Sequence, residues 1–409
     1  MGKDTTKNLV GQPIFKQIVK MLPREQFDLL VKQCGSDRYY KAFFSWDQLV
    51  VMLFGIYSRC DSMGEVCDSM RALAGKLNYL NMDCPPAKST AGDALRDRNE
   101  ELFRLYYFAL IAYFRPLLSV SRKKDVSFEE FYAFDSTTIG LFSEVMKGVG
   151  RNRKDDGKKK GGLKVHMLTD LHADTAVFAS ISEARMHDKK FLSKLNPSKG
   201  SMLVFDKAYN YYLQFADWTA QGVNFVCRLK DNAKALVQEI LFEKTLEKEE
   251  FGVFRVEHIE LGYKQDKKQE TLCLRLVHYK DEKGRKYQFI TNNWDITAQE
   301  VALIYKYRWT IELTFKKLKQ NFQLHFFYSE TENGIKTQIW CTLIAHLLLN
   351  VIQVLSGSKK AFSTIAALIR IHLISHLDIK WVVTEGRKAY TKRIKSKNKS
   401  PVNVQMSLF

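Results

Sequence analysis

The stretch TAQEVALIYKYRWTIELTFKKLKQ, residues 297–320, constrains this chain more than any other. Thr297 followed by Glu300 reads as a capping box, which predicts a helix starting there. Within it Tyr305, Arg308, Glu312 and Lys319 recur at offsets of 3, 7 and 14 from the tyrosine. At about 100° per residue those offsets put all four side chains within roughly 60° of one another. A phenol, a guanidinium, a carboxylate and an ammonium would then share one narrow stripe. Ile304, Trp309, Ile311, Phe315 and Leu318 are left to cover the flanks and bury the helix. A plain amphipathic helix with an Arg308–Glu312 pair explains the spacing equally well. The choice between the two readings depends on two aspartates upstream.

Those aspartates close apolar runs. FEEFYAFDSTTIGLF places Asp135 at the end of an aromatic-rich strand, and SMLVFDKAYNYY places Asp206 in the same position. Between them GLKVHMLTDL (162–171) and TAVFASISEA (175–184) read as two strands around a turn at residues 172–174. His187-Asp188 opens a short helical piece, and a helix through Trp218 and a strand VNFVCRL (223–229) follow. The order strand, strand, strand, helix, strand, helix, strand is a mixed α/β pattern with two aspartates on strand ends. FGVFRVEHIELGY, ETLCLRLVHYK and KYQFITNN then alternate like antiparallel strands and predict a β-subdomain inserted over about 230–294.

Three carboxylates, Asp135, Asp206 and Glu312, thus fall where a strand–strand–helix scaffold can gather them. Clustered carboxylates raise one another's pKa, and something must offset the repulsion. A divalent cation does so, and hard oxygen ligands suit Mg²⁺ or Mn²⁺. Two such ions about 3.5–4 Å apart activate an attacking oxygen and stabilise the leaving oxygen of a phosphodiester. Asp170 and Asp188 compete for the role, although an aspartate at a turn or helix start more often serves as a local cap. His166, inside a strand, and His187 read as satisfied core histidines.

Before the strands, residues 1 to about 115 look helical. Phe15, Ile18, Val19 and Leu22 have helical spacing ahead of Pro23, and a second run covers 26–31. Ser45 to Gln48 and Ser62 to Glu65 read as further capping boxes. After Pro85-Pro86, Ser89 or Thr90 is placed to cap one helix carrying Arg96 and Arg98 through Phe103 and Tyr107. Short helices with exposed Arg and Lys suit a DNA-reading bundle, and an ordinary helical interaction domain suits them nearly as well. Later in the chain, apolar helices are expected at 339–355 and 361–377.

The net charge of +19 over 409 residues asks for a polyanionic partner. A membrane is the lesser candidate. The longest apolar run, 339–355, is 17 residues long and holds His346, Asn350 and Gln353, which reads as a core helix. The N-terminus lacks the apolar stretch of a signal peptide. The seven cysteines form no C-x-x-C pair and read as reduced thiols of a cytosolic protein. Basic charge is concentrated in a Gly/Lys-rich segment at 147–162 and in residues 386–399, where seven Lys or Arg stand with no acid. Both read as mobile phosphate-holding segments.

FDSTT (134–138), VFDKAY (204–209) and the pattern Y-x2-R-x3-E-x6-K at Tyr305, Arg308, Glu312 and Lys319 resemble the DDE transposases of insertion-sequence family four, to which the Tn-five transposase belongs. The resemblance covers roughly 128–355, and the helical N-terminal part is similar to a domain that often precedes such a core in bacterial elements. It implies an RNase H-like catalytic core (121–380) with the β-insertion separating the last catalytic helix, a helical DNA-binding domain (1–120) and a basic tail (381–409). It implies that Asp135, Asp206 and Glu312 bind two Mg²⁺ ions, with Mn²⁺ as substitute. Water would then cut the element's ends to release a 3′-OH, which attacks target DNA. Tyr305, Arg308 and Lys319 would grip phosphates at the cleaved end, and Lys207, beside Asp206, joins the DNA-binding set. Tyr287, ahead of QFIT, matches the aromatic that holds a flipped base, where a Trp is more familiar, and Ala208 replaces the usual Gly. The partners expected are double-stranded DNA (inverted repeats and target) and a second copy when two ends are synapsed. The location expected is the bacterial cytoplasm, on the nucleoid, with no membrane. A nuclease of the same fold without strand transfer, and a domesticated or inactive DNA-binding protein, are the alternatives.

Overall fold

The computed structural model describes residues 10–118, 126–140, 162–183 and 189–384, except 74, 83, 248, 267, 323 and 325. The basic segments at 147–160 and 386–399, with His187 and Asp188, lie outside the described residues. The chain forms two compact units: residues 1–117, 317–329 and 333–409, and residues 118–316 and 330–332. These divisions fall elsewhere than at 120 and 380.

The first unit opens with six helices: α1 (Ile14–Val19), α2 (Arg24–Cys34), α3 (Ser45–Ser58), α4 (Met63–Arg71), α5 (Lys88–Asp97) and α6 (Glu101–Leu118). Ser62 caps α4 as expected, its hydroxyl accepting from the Glu65 amide at 3.2 Å. Two other starts differ. At α3 the cap is Asp47, which accepts from the Phe44 amide, while Ser45 is turned to Asp37. α5 begins one residue before Ser89, after the extended Ala87 that follows the proline pair. The expected long helix through Arg96 and Arg98 is broken, because Arg98 leaves the helical region and turns inward. Its guanidinium is 2% exposed, donates to Gln48 Oε1 at 2.5 Å and to the carbonyls of Phe43 and Ser36, and lies over the Tyr40 ring. Arg98 therefore ties loops together and is no exposed DNA reader. Gly55 in α3 permits close packing, since a Cβ there would meet Val66 at 2.5 Å and the Tyr328 hydroxyl at 2.9 Å.

The second unit is built on one nine-stranded sheet, in the order β3 (Thr175–Glu183), β2 (Gly162–Asp170), β1 (Phe131–Gly140), β4 (Met202–Phe205), β5 (Asn224–Arg228), β9 (Lys286–Thr291), β8 (Lys268–Lys280), β7 (Gly252–Gln265) and β6 (Ala235–Glu243), among the described residues. β1 (Phe131–Gly140), β2 (Gly162–Asp170) and β3 (Thr175–Glu183) are an antiparallel meander. The short helix α7 (Lys189–Leu192) leads to β4 (Met202–Phe205), parallel to β1, and α8 (Tyr212–Ala220) leads to β5 (Asn224–Arg228), parallel to β4. This is the element order read from the sequence. The central strand β4 is buried at every residue, as a strand covered on both faces must be. Phe134, Phe205, Phe215, Trp218 and Phe225 make its aromatic core.

The inserted strands are antiparallel but do not stand apart. β6 (Ala235–Glu243), β7 (Gly252–Gln265), β8 (Lys268–Lys280) and β9 (Lys286–Thr291) extend the same sheet, because β9 pairs with β5. β6 was not legible in the sequence. It is an edge strand exposed along nearly its whole length, so its apolar residues follow no single face.

The Thr297 stretch forms two helices, α9 (Ala298–Tyr307) and α10 (Trp309–Asn321). The capping box is present, with Thr297 and Glu300 each accepting the other's amide. Arg308 is the joint, where the ladder shortens to three-residue steps: the Arg308 amide bonds Tyr305 and the Ile311 amide bonds Arg308. Ile304, Ile311, Phe315 and Leu318 are buried as expected, whereas Trp309 is 56% exposed. After α10 the chain returns to the first unit with α11 (Glu332–Ser356) and α12 (Phe362–Ile371). α11 is long and apolar enough to cross a membrane, yet 78% of its apolar window is buried inside the protein.

Candidate active site

Asp135 and Asp206 are brought together by strand pairing. β1 and β4 run parallel with Ala133 beside Val204, and two residues further along each chain stands an aspartate. β4 ends one residue before Asp206, so both carboxylates sit at the carboxyl end of the parallel pair, where open α/β sheets place their chemistry. The joint between α9 and α10 supplies the rest.

Three contacts connect the elements. The Tyr305 hydroxyl donates to Asp206 Oδ1 at 3.1 Å. One Arg308 amine nitrogen lies 2.9 Å from Glu312 Oε1 and 3.5 Å from Asp135 Oδ2, bridging the two carboxylates. Tyr209, the last residue of VFDKAY, donates toward Asp135 Oδ1 at 3.3 Å and toward Ser136 Oγ at 3.2 Å. Tyr305, Arg308 and Glu312 therefore converge on the aspartates as the spacing predicts. They do so across a helix joint and not as one continuous stripe.

The electrostatics follow from burial. The Asp135 carboxyl is pushed up to about 6 mainly by desolvation, with Glu312 and Asp206 adding to the rise and the Ser136 amide and Arg308 opposing it. Burial likewise raises the Tyr305 hydroxyl, helped by Asp206, so it remains a donor. Burial pulls the Arg308 guanidinium down, but Tyr305, Glu312 and Asp135 outweigh it and hold it above the ordinary arginine value. Arg308 Nε is buried with no hydrogen-bond partner, a donor left over inside an acidic site.

The donor set consists of hard carboxylate oxygens facing a cation, which is the chemistry Mg²⁺ or Mn²⁺ needs. The guanidinium between Asp135 and Glu312 marks where positive charge is accepted. Among the described residues no three His, Cys, Asp or Glu side chains are gathered into a ready metal-binding group. The set fits a metal in kind.

The other expected residues are less central. Lys319 lies two turns beyond Glu312 on α10, half-buried, and burial lowers its ammonium. Lys207 is engaged by Asp231 at 2.7 Å. Tyr287 lies on β9 opposite Tyr279 of β8; its ring stacks on Phe289 and faces Arg228 at 5.3 Å. Asp170 is a turn cap, accepting the His172 and Ala173 amides, and His166 is buried against Phe191 with a hydrogen bond to Ser182. Tyr209 is the functional candidate that sequence reasoning passed over. Its motif was visible, but the distance from Asp135 along the chain hides the contact.

Several known proteins are similar to this chain over part of its length. A protein of Sinorhizobium fredii described as the transposase y4zB is 28% identical over 198 residues, 48% of this chain and 55% of that protein. A protein of Geobacillus stearothermophilus described as the transposase for insertion sequence element IS5377 is 27% identical over 218 residues, 53% of this chain and 54% of its own. The chain thus spans about half the length of these curated relatives. A Synechocystis protein described as the transposase for element IS4SA is 24% identical over 293 residues, 69% of this chain and 76% of that protein. The cryo-EM structure of the piggyBac transposase synaptic complex with hairpin DNA aligns at 12% identity and a TM-score of 0.45, covering 97% of this chain and 86% of that one. At that level the likeness carries no argument here. Residues 10–82 match a domain of unknown function. The family model for the transposase DDE domain matches residues 126–348, more than half of the chain, and the protein belongs to that family.

Proposed function

We propose that the protein is a cut-and-paste DNA transposase with an RNase H-like core. It binds the terminal inverted repeats of an insertion sequence, cleaves phosphodiester bonds there and joins the released 3′-OH ends to target DNA. The observation that carries the reading is the Arg308 bridge between Asp135 and Glu312, with Tyr305 on Asp206. It links an acid within β1 to one on α10, while Tyr305 reaches the acid that follows β4.

Asp135, Asp206 and Glu312 are the groups that would hold two divalent ions. When bound, such ions supply Lewis-acid stabilisation of the attacking and leaving oxygens. In the first step a water oxygen attacks phosphorus and the bond to the 3′ oxygen breaks, leaving a 3′-OH and a 5′-phosphate. In the second that 3′ oxygen attacks a target phosphorus, and the target's own 3′ oxygen leaves. Arg308 is placed to exchange its carboxylate contacts for a phosphate, a charge-assisted bond of the same kind. Tyr305 fixes one oxygen of Asp206, so the carboxylate keeps its orientation. Lys319, Lys207 and Tyr287 belong to the DNA-contacting set of this proposal. Its partners are duplex DNA and a second copy in the synapse, and its place is the bacterial nucleoid. Residues 1–120 are its end-binding region, although the exposed arginines there largely face acids: Arg24 with Asp28, Arg71 with Asp68, and Arg96 with Asp93 and Asp97.

Ligand softness tests the assignment. Thiolate disfavours Mg²⁺ and is better tolerated by Mn²⁺. Asp135→Cys is expected to bind inverted-repeat DNA normally, to cut nothing in Mg²⁺ and to regain part of its cleavage in Mn²⁺. Normal cutting by Asp135→Cys in Mg²⁺ refutes the ligand role.

A further inference from the structure

The turn from β2 to β3 is tied to the strand that carries Asp135. The Leu171 amide donates to the Phe131 carbonyl of β1 at 2.9 Å, and the His172 ring donates to the Phe128 carbonyl, also at 2.9 Å. Asp170 accepts the His172 and Ala173 amides from within the turn. Asp174, the last residue before β3, stands in the left-handed region at φ 52°. Most side chains are strained there, and Asp and Asn tolerate it best. Its Oδ1 accepts a short hydrogen bond from the Thr314 hydroxyl of α10. Thr314 is buried, and its alternative acceptor, the Thr310 carbonyl one turn back, lies at 3.1 Å. A hydroxyl has one proton to give, and the charged oxygen is the stronger acceptor.

Position on the helix gives this bond its meaning. Thr314 follows Glu312 by two residues, so at about 100° per residue the two side chains leave α10 on opposite sides. On one side the Arg308 bridge joins Glu312 to Asp135. On the other, Asp174 holds Thr314. Ile311 and Phe315 bury α10 as well, but apolar contact is non-directional and leaves small changes of roll and slide open. Two polar ties on opposite sides remove that freedom. Both return to β1, one through Asp135 itself and the other through the turn bonded to Phe131. The unit built on the sheet keeps α10 only as far as Lys316, so Thr314 lies in the last turn that belongs to it.

We propose that Asp174 is a positioning residue for DNA cleavage: by holding Thr314 it sets the roll of α10, and so the reach of Glu312 toward Asp135 and Asp206. The proposal rests on the reading of Glu312 as one of three working carboxylates. Asp174 acts through the helix alone and takes no part in the bonds that form and break.

The test measures single-turnover cleavage of an inverted-repeat duplex by the full chain, beside its affinity for the same duplex. Thr314→Val removes the hydroxyl and keeps the shape. Asp174→Gly removes the carboxylate and suits the left-handed turn without strain. Each is expected to cut about 10- to 100-fold more slowly, the scale of loss for a group misplaced by up to about 1 Å, with affinity within about 2-fold of the parent. The double variant is expected to be no slower than the slower single one, since both remove the same bond. Thr314→Ser keeps the donor and Asp174→Asn keeps an acceptor, and each is expected to cut within about 3-fold of the parent. Cleavage at the parent's rate by Thr314→Val or by Asp174→Gly overturns the proposal. So do losses that multiply in the double variant, a Thr314→Ser as slow as Thr314→Val, and a duplex affinity that falls in step with the rate. Glu312→Gln separates this proposal from the reading beneath it. If Glu312→Gln cuts normally, both fail; if it is inactive while Thr314→Val cuts normally, only the positioning role fails.

Discussion

Asp135 is an acid held where its charged form is disfavoured. Its carboxyl is raised to about 6 by burial first and by Glu312 and Asp206 next. The sign follows directly. A carboxylate whose folded pKa exceeds its unfolded value costs nothing below about pH 4, costs progressively more up to about pH 6, and carries the full penalty above that. The penalty is about 3 kcal/mol at 1.36 kcal/mol per unit. Metal-free Asp135→Asn is therefore expected to melt higher than the parent at pH 8 and equally at pH 4. Equal melting at both pH values contradicts the burial argument. Arg98 is the opposite case, a buried charge fully supplied with partners. Arg98→Met strands Gln48 and the Phe43 and Ser36 carbonyls, and is expected to cost about 3–5 kcal/mol, read from the urea midpoint. At this scale the sequence shows that Asp206 follows a strand and that Glu312 begins a helix. It puts Asp135 at a strand end, whereas Asp135 is the fifth residue of β1 and pairs with Met167 of β2. It does not show that Arg98 turns inward or that Tyr209 reaches Asp135. Both depend on contacts between residues dozens of positions apart.

Among the elements, the joint at Arg308 matters most. There Tyr305 meets Asp206 while Arg308 spans Asp135 and Glu312. The period of the sequence predicts the faces correctly within each helix but is blind to a break that no Gly or Pro announces. The β-insertion shows the same limit. Alternation finds β7, β8 and β9, whose faces differ in burial, and misses β6, whose two faces are alike. Because Arg308 opposes the rise of Asp135, Arg308→Ala is expected to raise that carboxyl further and to shift the acid limb of the cleavage–pH profile upward. Arg308→Lys should recover only part, since an ammonium is a compact point charge and not a planar fork. An acid limb that stays in place in Arg308→Ala would leave Arg308 as a packing residue only.

The whole molecule is less divisible than its order along the chain suggests. The sequence places a helical region first and a catalytic core after it, and reads α11 and α12 as the end of that core. They belong to the unit formed by the first six helices. Asn333 at the start of α11 donates to the carbonyls of Leu95 and Arg98, and Trp340 donates to Glu100 at 2.6 Å. Tyr57 of α3 donates to the Ala345 carbonyl, and Gln17 of α1 donates to the Leu377 carbonyl. Along α11, Ile339, Trp340, Ile344, Leu347, Leu348 and Val351 are all at most 2% exposed. Six such side chains contribute about 9–18 kcal/mol of burial at about 1.5–3 kcal/mol each. That is of the same order as the whole net stability of an ordinary domain, about 5–15 kcal/mol. A fragment ending at residue 120 is therefore expected to show no cooperative thermal transition, while the full chain melts sharply. The consequence reaches the DNA question. Failure of such a fragment to footprint an inverted repeat would reflect its missing core and say nothing of where end recognition lies. That assignment is read on the intact chain instead, by reversing exposed charges such as Arg71 and Arg96 and measuring end binding. A fragment 1–120 that unfolds with a sharp sigmoid would show that α11 packs on a core already complete without it.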